Sequence, residues 1–165
     1  MKPFDGFAKP TIVGLRAESR VAEVFEELPA PWEYFPTIEW RHLERQGESV
    51  GEADMVVFHP HHGLIVFEIK AGAVHVQDGQ WFYASGLQMK QSPFAQARRN
   101  RYALIDKLRQ RLGRDAADAL TVTHAVWFPD VLWKGSLPVN SSPIIIIRAT
   151  QKKMMSKPVT STSVG

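Results

Sequence analysis

Residues 51–72 read GEADMVVFHPHHGLIVFEIKAG and decide the fold class. Two mostly apolar runs, Asp54 to Phe58 and Leu64 to Lys70, flank a turn-rich connection, His59 to Gly63. Runs of this length around a short connection with proline and glycine are typical of a β-hairpin. The stretch therefore predicts two antiparallel strands.

Two carboxylates face each other in the simplest register of this hairpin. If Phe58 pairs with Leu64, Asp54 lies opposite Glu68, whereas a slip of one residue would separate the two acids. Cβ atoms of opposed residues lie about 4.5–5.5 Å apart, and like charges there are destabilising. A bridging divalent cation would remove the repulsion, because carboxylate oxygens are the ligands that Mg²⁺ and Mn²⁺ prefer. An ordinary cross-strand or surface salt bridge is the alternative interpretation.

Lys70 extends this pattern. It shares a strand face with Glu68, whereas Ile69 points to the opposite side. Two acids beside an ammonium suit metal-assisted hydrolysis of a phosphodiester. The metal polarises the phosphate and lowers the pKa of a bound water, and the lysine orients that water or stabilises the developing charge.

The rest of the chain alternates helical and extended patterns. Val21, Val24, Phe25 and Leu28 recur at helical spacing and predict a first helix, which Pro29 and Pro31 end. The Asp78-Gly79 dipeptide suits a type I′ hairpin turn. Ser92 is the expected N-cap of a long second helix, and Gly113 follows its end. The predicted elements in chain order are a helix at Leu15–Leu28, an edge strand at Trp32–Trp40, a loop at Glu44–Glu52, the hairpin above, strands at Ala73–Gln77 and Gln80–Ala84, the second helix, and strands at Thr121–Phe128 and Ile144–Arg148.

This order predicts an α/β domain with a mixed sheet. The 165 residues suit one domain, which we place at residues 1–148, and the unpatterned residues 149–165 are expected to be a disordered tail. The chain has no cysteine, no signal-peptide pattern in Met1 to Pro10 and no apolar stretch of membrane-spanning length. We therefore expect a cytoplasmic protein without a membrane partner.

Several polar residues are further candidates for the site. Glu18 lies on the same side of the first helix as Val21 and Phe25. It is either an acid that the helix dipole favours near the N-terminus or a further metal or water ligand. Gln96, in the first turns of the second helix, could bond a phosphate or the lysine, or be merely exposed. Three histidines share the hairpin turn, but zinc sites recruit ligands from separated elements, so exposed turn residues are expected at His59, His61 and His62.

The positive charge is unevenly distributed. The net charge is only +3, yet the segment from Lys90 to Arg114 contains eight lysines and arginines and a single acid, Asp106. This helix is either a solvated face or a phosphate-binding surface. The residues expected to contact nucleic acid are Lys90, Arg98, Arg99 and Arg101.

Four segments of the chain resemble the nuclease-related domain family. They are Gly51 to Pro60, Gly63 to Gly72, Asp78-Gly-Gln-Trp81 and Ser92-Pro-Phe-Ala-Gln-Ala97, within a similarity that covers Val13 to Pro129. That family belongs to the PD-(D/E)xK group with the restriction-endonuclease-like fold. The resemblance implies an αβββαβ core with a central mixed sheet between helices, and Mg²⁺-dependent cleavage of DNA, with Mn²⁺ as a substitute ion.

The family motif falls on Asp54, Glu68 and Lys70, with Glu18 as its first-helix glutamate and Gln96 as its helix glutamine. Ala53 stands where the group often has proline. We expect Asp54, Glu68 and the backbone carbonyl of Ile69 to hold the metal, with Glu18 as an auxiliary ligand and the basic helix on the phosphate backbone.

Three other functions fit the same residues. The first is a non-catalytic DNA-binding or targeting module of a helicase-type system, with a helicase or another repair protein as partner. The second is a ribonuclease of the same fold, and the third is a purely structural domain. The oligomeric state, a dimer included, stays open.

Overall fold

A computed structural model of the protein describes residues 12–44, 47–131 and 145–147. These residues form three helices and seven strands. In chain order they are α1 (Ile12–Glu26), β1 (Glu33–Glu44), β2 (Gly47–His59), β3 (Gly63–Ile69), β4 (Val74–Gln77), β5 (Gln80–Tyr83), α2 (Pro93–Leu112), α3 (Arg114–Asp118), β6 (Val122–Phe128) and β7 (Ile145–Ile147).

Five of the strands form the central sheet in the order β1-β2-β3-β6-β7. The β1–β2 and β2–β3 pairs are antiparallel, whereas the β3–β6 and β6–β7 pairs are parallel. The sheet is therefore mixed, as the sequence predicted. Strand β1 lies at its edge, which is where the proline in this segment was expected to place it.

The β2–β3 hairpin has the predicted register. Phe58 pairs with Leu64, and the pairing continues to Met55 and Phe67. Gly63 begins β3 with φ of +86°, and a Cβ built there would lie 2.0 Å from the backbone oxygen of Thr121. Only glycine fits this conformation and this close approach, so the residue fixes where β3 starts beside β6.

Alternation along the strands gives the sheet two apolar faces. One face packs against α1 through Ala17, Val21, Phe25, Met55, Val57, Phe67, Ile69, Ala125 and Trp127. The opposite face packs against α2 and includes Val56, Val66, Val126, Phe128, Phe94 and Ala97. Glu68, between Phe67 and Ile69, faces α2. The central mixed sheet flanked by helices is the predicted fold class, consistent with a restriction-endonuclease-like fold.

Strands β4 and β5 form a separate two-stranded sheet. Their turn has the φ angles of the predicted type I′ conformation, +50° at Asp78 and +74° at Gly79. The Trp81 ring stacks on Phe128 with a centroid separation of 5.5 Å. This contact fixes the small sheet against the core beside β6.

The structure corrects one sequence-based expectation of the fold and adds one helix. The predicted loop Glu44–Glu52 is wrong, because β2 begins at Gly47 and Glu39 pairs with Glu52. The short helix α3 was not predicted.

Other expectations stay untested. The boundary of the single domain at residue 148 is one of them, and the predicted tail, residues 149–165, lies outside the described residues. Within the part of the chain that is described, every helix is too short or too polar to cross a membrane.

Candidate active site

Asp54 lies on β2 just beyond the last paired residues of the β2–β3 hairpin. Its Oδ2 accepts a hydrogen bond of 2.6 Å from the backbone N–H of Ile69. Since Met55 pairs with Phe67, continuation of the register sets Asp54 across from Glu68, as the sequence predicted. Burial raises the pKa of Asp54, although the Ile69 N–H and the Lys70 ammonium oppose this effect.

Glu68 is the most enclosed acid of the site, with 1% of the residue exposed. Its neighbours Phe67 and Ile69 point to the α1 face, so the carboxylate projects between the sheet and α2. Burial, followed by repulsion from Asp54, raises the pKa of Glu68 to about 8 against the opposing charges of Lys70 and Arg99. Two carboxyl groups so placed cannot both ionise easily at neutral pH without a cation in addition to Lys70.

Lys70 follows β3 and is anchored to β6 by a hydrogen bond from its backbone N–H to the oxygen of Trp127. Its Nζ donates to Glu68 Oε1 at 2.5 Å and to Gln96 Oε1 at 3.2 Å. Burial opposes the ammonium charge, but the Glu68 carboxylate raises the pKa of Lys70 above its ordinary value, assisted by Asp54. Lys70 is therefore a cation at neutral pH, and its ammonium group is a hydrogen-bond donor.

Helix α2 places the amide side chains of Gln96 and Asn100 next to Lys70 and Glu68 at the end of β3. The helix starts at Pro93, and the Ser92 hydroxyl caps it by accepting from the Ala95 N–H. One turn later Gln96 reaches Lys70, as the sequence suggested. Asn100, four residues further, donates from Nδ2 to Glu68 Oε2 at 3.2 Å.

Asn100 was missed in the sequence. It is only 2% exposed, although it is a polar residue of a strongly basic helix. The available signal was its spacing, because residues four apart on a helix share a face and Gln96 was already a candidate. Both amides lie on the side of α2 that faces the site.

The four predicted nucleic-acid contacts do not share one environment. Lys90, Arg98 and Arg99 are exposed, and the charge of Arg99 acts on Glu68. Arg101 is half-buried, and its guanidinium lies 5.2 Å from the centre of the Tyr102 ring. Arg99 is thus the arginine of α2 with an electrostatic connection to the site.

The turn histidines lie at the opposite end of β3 from Glu68. His61 and His62 are exposed, whereas His59 is only 8% exposed and packs against Trp32 with a centroid separation of 4.5 Å. Its Nδ1 accepts from the backbone N–H of His61. The expectation of an exposed turn is therefore wrong for His59, because an indole covers it.

Glu18 lies within α1, but its side chain is outside the described residues, and its role as an auxiliary ligand stays a prediction. No group of three or more His, Cys, Asp or Glu side chains suited to a metal occurs among the residues the structure describes. Among the described side chains, Asp54 and Glu68 are the acids placed to hold a metal here, together with backbone oxygens or water.

The oxygen atoms of Asp54, Glu68 and Ile69 suit a divalent cation. Asp54 and Glu68 both have raised pKa values, and a divalent cation between them would offset their repulsion. The N–H and C=O of one residue in an extended strand point to the same edge. Because the Ile69 N–H points at Asp54, the Ile69 carbonyl faces the same edge of β3.

The connection after Lys70 is held by Asp130, which follows β6. Asp130 Oδ2 accepts from the Gly72 N–H at 2.8 Å, and its Oδ1 forms an ion pair of 2.7 Å with Arg20 of α1. The pair ties α1 to the start of the β3–β4 connection. Asp130 thereby restrains the backbone two residues beyond Lys70.

Comparison with known proteins assigns the chain to a family. The family model described as nuclease-related domain matches residues 13–129, which is more than half of the chain. The match includes Asp54, Glu68, Lys70, Gln96 and Asn100. No curated protein and no solved structure matches the chain.

Proposed function

Because the chain belongs to the nuclease-related domain family, part of the restriction-endonuclease-like superfamily, we propose that it is a divalent-metal-dependent nuclease that hydrolyses DNA phosphodiester bonds. A role in DNA processing or repair in the cytoplasm is part of the proposal. The observation that carries it is the convergence of Asp54, Glu68 and Lys70 at one end of β2 and β3. A domain that served only as a scaffold would gain nothing from two facing acids with raised pKa values.

The proposed metal, Mg²⁺ or Mn²⁺, would be held by Asp54, Glu68 and the Ile69 carbonyl, with Glu18 as an auxiliary ligand. When bound, such an ion polarises a phosphate oxygen and lowers the pKa of a coordinated water. In the overall reaction water adds to phosphorus and the bond from phosphorus to one sugar oxygen breaks. The products are a phosphate monoester and a hydroxyl group.

Lys70 is suited to stabilise the charge that develops on the phosphate. Two of the three N–H donors of its ammonium are directed at Glu68 and Gln96. The third can donate to the attacking water or to a phosphate oxygen. Gln96 fixes the orientation of Lys70 without adding charge.

The DNA backbone would approach along α2. Arg98 and Arg99 are exposed on this helix, and Lys90 is exposed just before it. Contacts of these groups with phosphates are independent of base sequence and weaken with salt. The surface therefore supports DNA binding without sequence recognition.

Cleavage assays on supercoiled and linear DNA, with and without Mg²⁺ or Mn²⁺, test the proposal. We expect metal-dependent cutting that Glu68→Ala and Lys70→Ala abolish, and that Glu23→Ala, which changes an exposed acid of α1, leaves intact. Cutting that persists in both site variants would overturn the assignment of the site. An RNA substrate in parallel separates a ribonuclease from a deoxyribonuclease.

A DNA-binding module that does not cut is the second candidate. Two observations favour it: the described residues lack a group of three side-chain ligands, and both oxygens of Glu68 already accept hydrogen bonds. Under this function the unmodified protein binds DNA but leaves it intact with either metal. Helicase or repair partners belong to this candidate.

A further inference from the structure

The carboxylate of Glu68 has two differently placed oxygens. Oε1 accepts from Lys70 Nζ, whose side chain is 16% exposed. Oε2 accepts from Asn100 Nδ2, and Asn100 is only 2% exposed. Oε1 therefore lies towards the open side of the site, whereas Oε2 is held inside, against α2.

The Asn100 amide is chemically suited to this inner position. It donates a hydrogen bond without bringing charge, so it adds neither a competing cation nor a third acid beside Asp54 and Glu68. An apolar residue of the same size would leave Oε2 buried without this donor. A buried polar atom without a partner is unfavourable, which would favour rotation of the carboxylate away from its present orientation.

We propose that Asn100 is a positioning residue, which holds Glu68 Oε2 against α2 and so presents Oε1 to a divalent cation. The inference rests on the proposed function, because it assumes that Glu68 is a metal ligand. Gln96 has the equivalent role towards Lys70, and the two amides are one helical turn apart. The packing of α2 against the sheet thereby orients both Glu68 and Lys70.

Removal of the donor should weaken metal binding. Outer partners of metal ligands typically change metal affinity by about 10–100-fold when mutated. For Asn100→Leu we expect the dissociation constant for Mn²⁺, measured by calorimetry on the whole chain, to rise about tenfold. The Mn²⁺ concentration for half-maximal cleavage should rise in parallel, with a smaller loss of rate at saturating metal.

Two further variants separate positioning from folding. Leu104→Ala removes an apolar side chain of α2 that packs in the core, and it should lower stability while retaining Mn²⁺ affinity. Asn100→Ser keeps a hydroxyl donor, and its affinity should lie between those of Asn100→Leu and the unmodified protein. If Asn100→Leu does not fold, as judged by circular dichroism, the serine variant alone carries the comparison.

The outcomes distinguish the two proposals. The positioning role is overturned, and the nuclease proposal left standing, if folded Asn100→Leu binds Mn²⁺ as tightly as the unmodified protein. Where Asn100→Leu does not fold, equal Mn²⁺ affinity of Asn100→Ser and the unmodified protein overturns it. Unmodified protein that neither binds Mn²⁺ nor cuts DNA overturns both.

Discussion

Replacing Glu68 by glutamine should flatten the dependence of stability on pH in the metal-free protein. In the folded chain, burial and Asp54 raise the pKa of Glu68 to about 8, whereas the ordinary value is 4.5. Between these values the folded state keeps a proton that the unfolded state has released. Stability is therefore fully present below the ordinary pKa and is lost as the pH rises through about 8.

The size of the effect follows from the same two values. The gap between 4.5 and about 8 corresponds to at most about 5 kcal/mol, at 1.36 kcal/mol for each pH unit. The pKa of about 8 already includes the opposing charges of Lys70 and Arg99. We therefore expect a loss of a few kcal/mol across this window. That is a large part of the roughly 5–15 kcal/mol typical of a folded domain.

Urea denaturation with a chelator, at constant ionic strength from pH 5 to pH 8.5, measures the effect. The unmodified protein should lose stability steadily, and Glu68→Gln should lose much less. The variant should keep a shallow slope at the acid end, because burial also raises the pKa of Asp54. Glu23→Gln, which neutralises an exposed acid of α1, should follow the unmodified protein. Parallel curves for Glu68→Gln and the unmodified protein would refute the reasoning.

Four further substitutions test how the scaffold positions the site, each by urea denaturation. Gly63→Ala should cost at least about 3 kcal/mol, because its Cβ would lie 2.0 Å from the oxygen of Thr121. Gly79→Ala also has positive φ but meets no atom within 4 Å, so it should cost only about 1–2 kcal/mol, and equal losses would contradict the crowding argument. Ser92→Ala removes the N-cap of α2 and should cost about 1 kcal/mol; an unchanged midpoint would show that the cap is not stabilising. Asp130→Ala should cost about 1–3 kcal/mol by leaving the N–H of the β3–β4 connection unpaired, and metal-dependent cleavage should fall; full stability and activity would argue against the restraint.

Local signals in the sequence accounted for the centre of the fold. The two apolar strands and the turn-rich connection that ends at Gly63 predicted the β2–β3 hairpin, and the simplest register, with Phe58 opposite Leu64, is the one observed. A slip of one residue stayed open in the sequence, because both strands are apolar on both faces. The turn at Asp78-Gly79 and the N-cap at Ser92 could also be predicted, since a type I′ turn and an N-cap depend on a few adjacent residues. These features need no distant partner.

Features that depend on distant partners were less accessible. Residues 47–52 are polar and read as a loop, yet they lie in β2 because β1 supplies their backbone hydrogen bonds. The burial of His59 under Trp32 likewise depends on a contact between separate segments. The spacing of four residues from Gln96 places Asn100 on the same face of α2, but its hydrogen bond to Glu68 depends on how α2 packs on the sheet.

The central position of β3 has a consequence for the order of folding. Its pairing with β2 closes only the short loop between the two strands, whereas the pairing of Leu64 with Val122 closes the long loop that contains β4, β5 and α2. Closing a short loop costs less chain entropy than closing a long one, so local pairs form faster. The two acids should thus be brought together early by the hairpin, and the amides of α2 should reach them in a later, slower stage. A chain interrupted between these stages would hold Asp54 and Glu68 side by side without the donors that orient Glu68 and Lys70.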